Sequence, residues 1–106
     1  RGFFDAKKIA AMKKNAVLIN CARGPVVDSK ALAQALNEGN IRGAGIDVFD
    51  QEPPLALDNP LLHAKNTLLT PHIAFATEEA MLRRAEIEFD NVYAYLHGAC
   101  RNQCKY

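Results

Sequence analysis

Apolar residues follow two rhythms along this chain. Three short, nearly unbroken runs read as buried strands: Ala16-Val17-Leu18-Ile19, Ala44-Gly45-Ile46-Asp47-Val48-Phe49 and Thr67-Leu68-Leu69. Elsewhere the apolar positions recur every three or four residues, the period of a helix. Over residues 3–14 they face a set of lysines (Lys7, Lys8, Lys13, Lys14), which predicts a short surface helix leading into the first strand. Over about 29–38, Ala31, Leu32, Ala35 and Leu36 form the stripe that would be buried. Asp28 or Ser29 can accept the helix's first amide hydrogens, and Gly39 supplies a left-handed stop. The strand predicted over 43–48 follows at once. The resulting β-α-β unit has a short crossover, and such units are almost always parallel and right-handed.

The alternation then breaks. Residues 50–66 contain Pro53, Pro54 and Pro60, show no helical pattern and predict a structureless loop. A loop of that length inside a domain is uncommon and usually functional. After a strand over 67–70, Thr77 caps a long helix whose first turn carries Glu78 and Glu79, well placed against the helix dipole. Its apolar positions run from Ala80 to Leu96 and Gly98 ends it. About twenty residues span roughly 30 Å, enough to leave one domain and lie against another. These elements divide the chain into residues 1–77, half of a nucleotide-binding sheet, and residues 78–106, a helix and tail returning toward a substrate domain.

Composition narrows the class without naming a function. The 106 residues, 49% hydrophobic and 24% charged, suit one small globular domain or a piece of a larger one. No apolar run nears the roughly 18 residues of a membrane span, and the N-terminus, which starts with Arg, has no export signal. A net charge of +1 gives no electrostatic reason to expect nucleic acid. Cys21, Cys100 and Cys104 are odd in number and form no C-x-x-C pair, a pattern suited to a reducing cytoplasm. His97, Cys100 and Cys104 fit no standard zinc spacing, so no metal site is expected.

Candidate chemistry gathers where the predicted strands end. Arg23, in Asn20-Cys21-Ala22-Arg23-Gly24, and His72, in Thr70-Pro71-His72-Ile73-Ala74, directly follow strands, and Glu52 lies just beyond a third. In open α/β sheets, ligands bind in the crevice past the carboxyl ends of the strands. Singly, each residue has a plainer explanation: a surface arginine, a structural histidine, an exposed loop acid. Together they make a set. A guanidinium can grip a carboxylate and its neighbouring keto oxygen. A histidine held by a carboxylate can pass a proton to that keto oxygen as hydride arrives, or take it back. The chain carries no redox group, so a nicotinamide would supply the hydride. Asp47, in a mostly apolar strand, needs buried partners. Cys21 and His72 could mimic the nucleophile and base of a hydrolase, but no oxyanion turn accompanies them.

A dinucleotide fold normally opens with a Gly-rich turn after its first strand. Gly43 and Gly45 make only G-x-G, inside a strand, and are better explained by close packing against a helix or ligand. The expected fold class is therefore α/β: the C-terminal half of a doubly wound, Rossmann-like parallel sheet plus a long C-terminal helix.

The motifs Leu18-Ile19-Asn20-Cys21-Ala22-Arg23-Gly24-Pro25-Val26-Val27-Asp28, Gly43-Ala44-Gly45-Ile46-Asp47-Val48-Phe49, Glu52-Pro53-Pro54 and Thr70-Pro71-His72-Ile73-Ala74 resemble the D-isomer-specific 2-hydroxyacid dehydrogenases. The resemblance implies that Arg23 binds substrate, that Glu52 and His72 form the acid/base dyad, and that Asp47 lies near the nicotinamide. It also implies cofactor contacts from Cys21, Ala22, Arg23, His72, Ile73, Ala74 and Phe75. The cofactor would be NAD, with NADP open. The substrate would be a small 2-keto or 2-hydroxy acid of the phosphoglycerate or glycerate/hydroxypyruvate kind, and the assembly a homo-oligomer such as a dimer. NADH-sensing corepressors of the carboxyl-terminal-binding-protein type share the Arg, Glu and His and are the non-enzyme alternative. A truncated chain without activity of its own is the third.

Overall fold

The computed structural model describes residues 2–104. Residue 1 and residues 105 and 106, at the ends of the two predicted segments, lie outside the described residues. The chain divides into two compact units between Ala74 and Phe75.

The first unit is built on a parallel sheet of β1 (Val17–Asn20), β2 (Gly43–Ile46) and β3 (Thr67–Leu69), in that spatial order. Its register pairs Ile19 with Gly45 and Gly45 with Leu68. Helix α1 (Ala6–Ala10) precedes β1, and helix α2 (Ser29–Asn37) crosses from β1 to β2. The predicted buried stripe of α2 is nearly all inside: Leu32, Ala35 and Leu36 are buried, with Ala33 beside them and Ala31 packed at the margin. They meet Ile9 of α1, Leu18, Ala44 and Ile46 of the strands, and Ile41 and Leu61, in one core.

Both ends of α2 follow the sequence signals. The Asp28 carboxylate accepts from the Ala31 amide at 3.0 Å. Gly39 takes φ +72°, and the Asn40 amide turns back to the Ala35 carbonyl at 2.8 Å.

Four expectations need correction. The helix predicted over 3–14 is confined to Ala6–Ala10: at its start Asp5 caps it by accepting from Lys8 N–H and Phe4 is drawn into an extended bridge with Val27, and at its end the Met12 amide turns back to the Ile9 carbonyl at 3.1 Å. The strand predicted over 43–48 ends at Ile46: the Asp47 amide still donates to the Asn20 carbonyl of β1, but its carbonyl and carboxylate take amides of the loop after β3. The loop over 50–66 contains a 3-10 turn, Pro60–His63, capped by the Asn59 side chain on Leu61 N–H at 3.0 Å. Gly43 and Gly45 face neighbouring chain, not a helix: a Cβ on Gly43 would lie 3.0 Å from the Asn66 carbonyl, and one on Gly45 3.7 Å from the Ile19 side chain.

The second unit is helix α3 (Glu78–Leu96) and its tail. Thr77 accepts from the Ala80 amide at 3.2 Å at the start. At the end the Ala99 amide returns to the Ala94 carbonyl at 2.9 Å. Cys100 and Cys104 in the tail are exposed, unbridged thiols, and Nδ1 of His97 bonds the Tyr93 carbonyl at 2.8 Å. No helix among the described residues is long and apolar enough to cross a membrane.

Candidate active site

Parallel strands put all their carboxyl ends on one edge of the sheet, and three loops leave from there. The first begins at Asn20, which is 5% exposed. Its side-chain oxygen accepts from the Ala22 amide and its nitrogen donates to the Arg23 carbonyl, each at 3.1 Å. Cys21, Ala22 and Arg23 are thereby wrapped into a fixed turn. Arg23 itself is exposed, and its guanidinium donates to the Ala22 carbonyl at 2.7 Å rather than to either of the other two candidates.

Asp47, 3% exposed, stands just past β2. One carboxylate oxygen accepts from the Thr70 hydroxyl at 2.6 Å and the Ile73 amide at 2.8 Å; the other accepts from the Ala74 amide at 2.9 Å. Its backbone carbonyl takes the His72 amide at 2.8 Å. Burial pushes the Asp47 pKa upward. The bonds from Thr70, Ala74 and Ile73, with His72 nearby, outweigh this and hold it below the ordinary aspartate value. The buried charge is thus fully partnered, and its partners are the loop that carries the histidine.

Within that loop His72 sits at φ +56°, a conformation a non-glycine residue adopts only when its surroundings impose it. The ring meets Glu52: Nδ1 lies 2.7 Å from Oε2. The other Glu52 oxygen accepts from the Phe49 amide. The Phe49 amide first, and His72 second, lower the Glu52 pKa below its ordinary value, so the carboxylate is charged at neutral pH. Glu52 and His72 keep 26% and 42% of their side-chain surface, open enough for a substrate to reach the ring.

Of the sequence-predicted residues, the structure therefore joins Glu52 to His72, and Asp47 to Ile73 and Ala74. Ile73 is half exposed, and Phe75, also half exposed, belongs to the second unit. Three contributors were not singled out from sequence as members of the site: Asn20, Thr70 and the Phe49 backbone. A polar residue ending an apolar strand is the available signal for the first two. A backbone amide leaves none.

Residues 1–74 match the family described as D-isomer specific 2-hydroxyacid dehydrogenase, NAD binding domain. The chain belongs to that family. It is 47% identical over 98 residues to a D-3-phosphoglycerate dehydrogenase of Methanocaldococcus jannaschii, covering 92% of this chain and 18% of that protein. A glyoxylate/hydroxypyruvate reductase B of Escherichia fergusonii is 46% identical over 101 residues, covering 95% and 31%. Among solved structures, an acyclic imino acid reductase in complex with NADPH and D-Arg superposes with a TM-score of 0.85 at 34% identity, covering 95% of this chain and 32% of that one. The chain thus spans less than a third of the length of either curated relative.

The Asp47 clamp makes a stability prediction for this NAD-binding unit. In Asp47→Asn, an amide NH2 would face the Ala74 N–H, donor against donor. We expect Tm to fall by on the order of 5 °C at neutral pH. Because the folded pKa is lowered, the clamp's contribution is present above the ordinary aspartate value of 3.8 and is lost as pH falls through the depressed one. The gap between the two proteins should therefore close in acid. Thermal unfolding across pH checks both points, and an unchanged Tm at pH 7 would contradict the clamp.

Proposed function

We propose that the whole protein is an NAD-dependent D-2-hydroxyacid dehydrogenase in which Arg23 binds the substrate carboxylate and Glu52 with His72 forms the acid/base pair. The observation that carries this reading is the 2.7 Å contact between His72 Nδ1 and Glu52 Oε2 at the carboxyl edge of a parallel sheet. With Nδ1 engaged by a carboxylate, the proton exchanged with substrate is the one on Nε2, and the pairing fixes the ring's tautomer and direction. Glu52, anchored at its other oxygen by Phe49, offsets the imidazolium charge. Arg23 is exposed in a turn that Asn20 holds, which suits a guanidinium gripping a carboxylate and the adjacent keto oxygen.

The residues present fit the nicotinamide end of a dinucleotide. Cys21, Ala22 and Arg23 offer a fixed backbone, Asp47 holds the Ile73–Ala74 backbone, and half-exposed Ile73 offers an apolar surface for a flat ring. When bound, the nicotinamide supplies the hydride for carbonyl reduction. The sequence holds no Gly-rich strand-to-helix turn for a pyrophosphate, so these 106 residues by themselves would bind NAD weakly and lack activity. NAD is the favoured cofactor, with NADPH as the alternative, since the imino acid reductase carries it.

The curated relatives' names favour phosphoglycerate or glycerate/hydroxypyruvate as the substrate class. We assign residues 1–77 to the NAD-binding domain and read 78–106 as the helix and tail returning to a substrate domain. Three exposed, unbridged cysteines suit a reducing cytoplasm. The exposed apolar positions Phe89, Val92 and Leu96 of α3 suit burial against other protein, and the assembly is read as a homodimer. Sedimentation of the full-length protein should give a dimer, and a monomer at micromolar concentration would contradict it.

In the full-length protein Arg23→Ala should raise KM for the keto acid and lower kcat, together costing about 100-fold in kcat/KM. Unchanged kinetics would remove Arg23 from the site. Replacing Glu52 by Gln deprives the imidazolium of its charged partner, so the pH above which reduction fails should move down. A pH–rate profile identical to that of the unaltered enzyme would rule out the functional pairing.

A further inference from the structure

We propose that Gly24 is a positioning residue for the Glu52–His72 pair, acting through the backbone of Phe49 and Asp50, which passes where its side chain would lie. The proposal rests on the dehydrogenase reading of that pair. A Cβ on Gly24 would stand closer than 3.0 Å to three atoms: the Phe49 carbonyl carbon, its oxygen, and the Asp50 amide nitrogen. All three are main chain, so no rotamer change can make room. Gly24 is buried and is not among the glycines with positive φ, so what the position demands is space rather than backbone freedom.

The segment it accommodates is pinned on its other sides. The Phe49 side chain is buried in the core, and the Asp50 carboxylate accepts from the Ser29 hydroxyl, at the start of α2, at 3.0 Å. Held in this way, Phe49 aims its N–H at one oxygen of Glu52, and the other oxygen meets His72. Gly24 is also the residue after Arg23, whose main chain enters the 3-10 turn Gly24–Val26. One main-chain contact therefore sets both the loop that bears the guanidinium and the loop that bears the carboxylate. An added methyl group must drive these apart. Glu52 then loses its amide anchor and its alignment on the ring, while His72 stays on the loop after β3 and Asp47, the other charged group facing Glu52, stays at the end of β2, bonded to that loop.

The test uses the full-length protein containing this chain. In Gly24→Ala without cofactor, the Glu52 carboxyl carbon followed by NMR should titrate higher by on the order of one pH unit, because the anchoring amide is gone. With NADH and a keto acid, the upper pH limit of reduction should move down. Adding Glu52→Gln should move it no further, since the two changes act through one group. If Gly24 serves packing alone, Tm falls while the Glu52 titration and the pH limit stay put, and that result overturns the proposal. Should Gly24→Ala fail to fold, Ser29→Ala frees the same segment from its surface side. The Glu52 titration should then rise by a few tenths of a unit, and an unmoved titration overturns the proposal as well. A protein that reduces no 2-keto acid at any pH defeats the dehydrogenase reading, while the Glu52 titration still decides the positioning.

Discussion

The geometry of this edge of the sheet depends on one buried charge. Asp47 is held by a hydroxyl and two amides from the segment after β3, and its own carbonyl takes the His72 amide. A carboxylate removed from water is costly unless it is fully hydrogen-bonded, and charge-assisted bonds to amides are among the stronger ones available. Here that requirement becomes a positioning device. The bonds are satisfied only if the histidine loop closes on the end of β2. His72 then has to accept φ +56°, a cost the surrounding bonds offset.

Asn20 has the matching role at the end of the neighbouring strand. It is the other buried polar residue among those described, and its amide group closes the turn through Cys21, Ala22 and Arg23. The Asp47 amide donates to the Asn20 carbonyl at 3.0 Å, so the two anchors are themselves joined. Beneath them the core of α2, Ile9 and the strands is apolar and well sealed. The fold thus separates its tasks: apolar burial holds the sheet, and two polar side chains fix what emerges from it. The opposite face of the sheet, where Val17, Ile19 and Leu68 are exposed around Gly45, lacks such a cover in these residues.

Much of this was legible in the sequence, for identifiable reasons. The β-α-β unit declared itself because the burial stripe of α2 and its two ends, Asp28 and Gly39, each carry a local signal. Glu52 and His72 could be suspected because both chemistry and position singled them out, and Asp47 because a charge in an apolar run demands partners. What sequence could not supply was identity of partner. That Asp47 would hold residues 73 and 74 depends on the register of β2 against β3, and no local pattern encodes it. The shortened first helix has a similar cause. Its apolar period reached back to Phe3, but Phe4 was drawn into a bridge with Val27, a residue far along the chain. The role of Gly24 was hidden most completely, since a glycine before a proline already has a sufficient local explanation as a turn.

Hydrogen exchange of the Ile73 and Ala74 amides tests the central claim most directly, because these two donors point at the Asp47 carboxylate and lie in a loop with no regular structure. Measured in the unaltered full-length protein near neutral pH, both amides should exchange far more slowly than unstructured-chain rates and open together as a unit. Exchange at the unstructured rate at either amide would show that Asp47 does not hold the histidine loop, and the account of the site would fail with it.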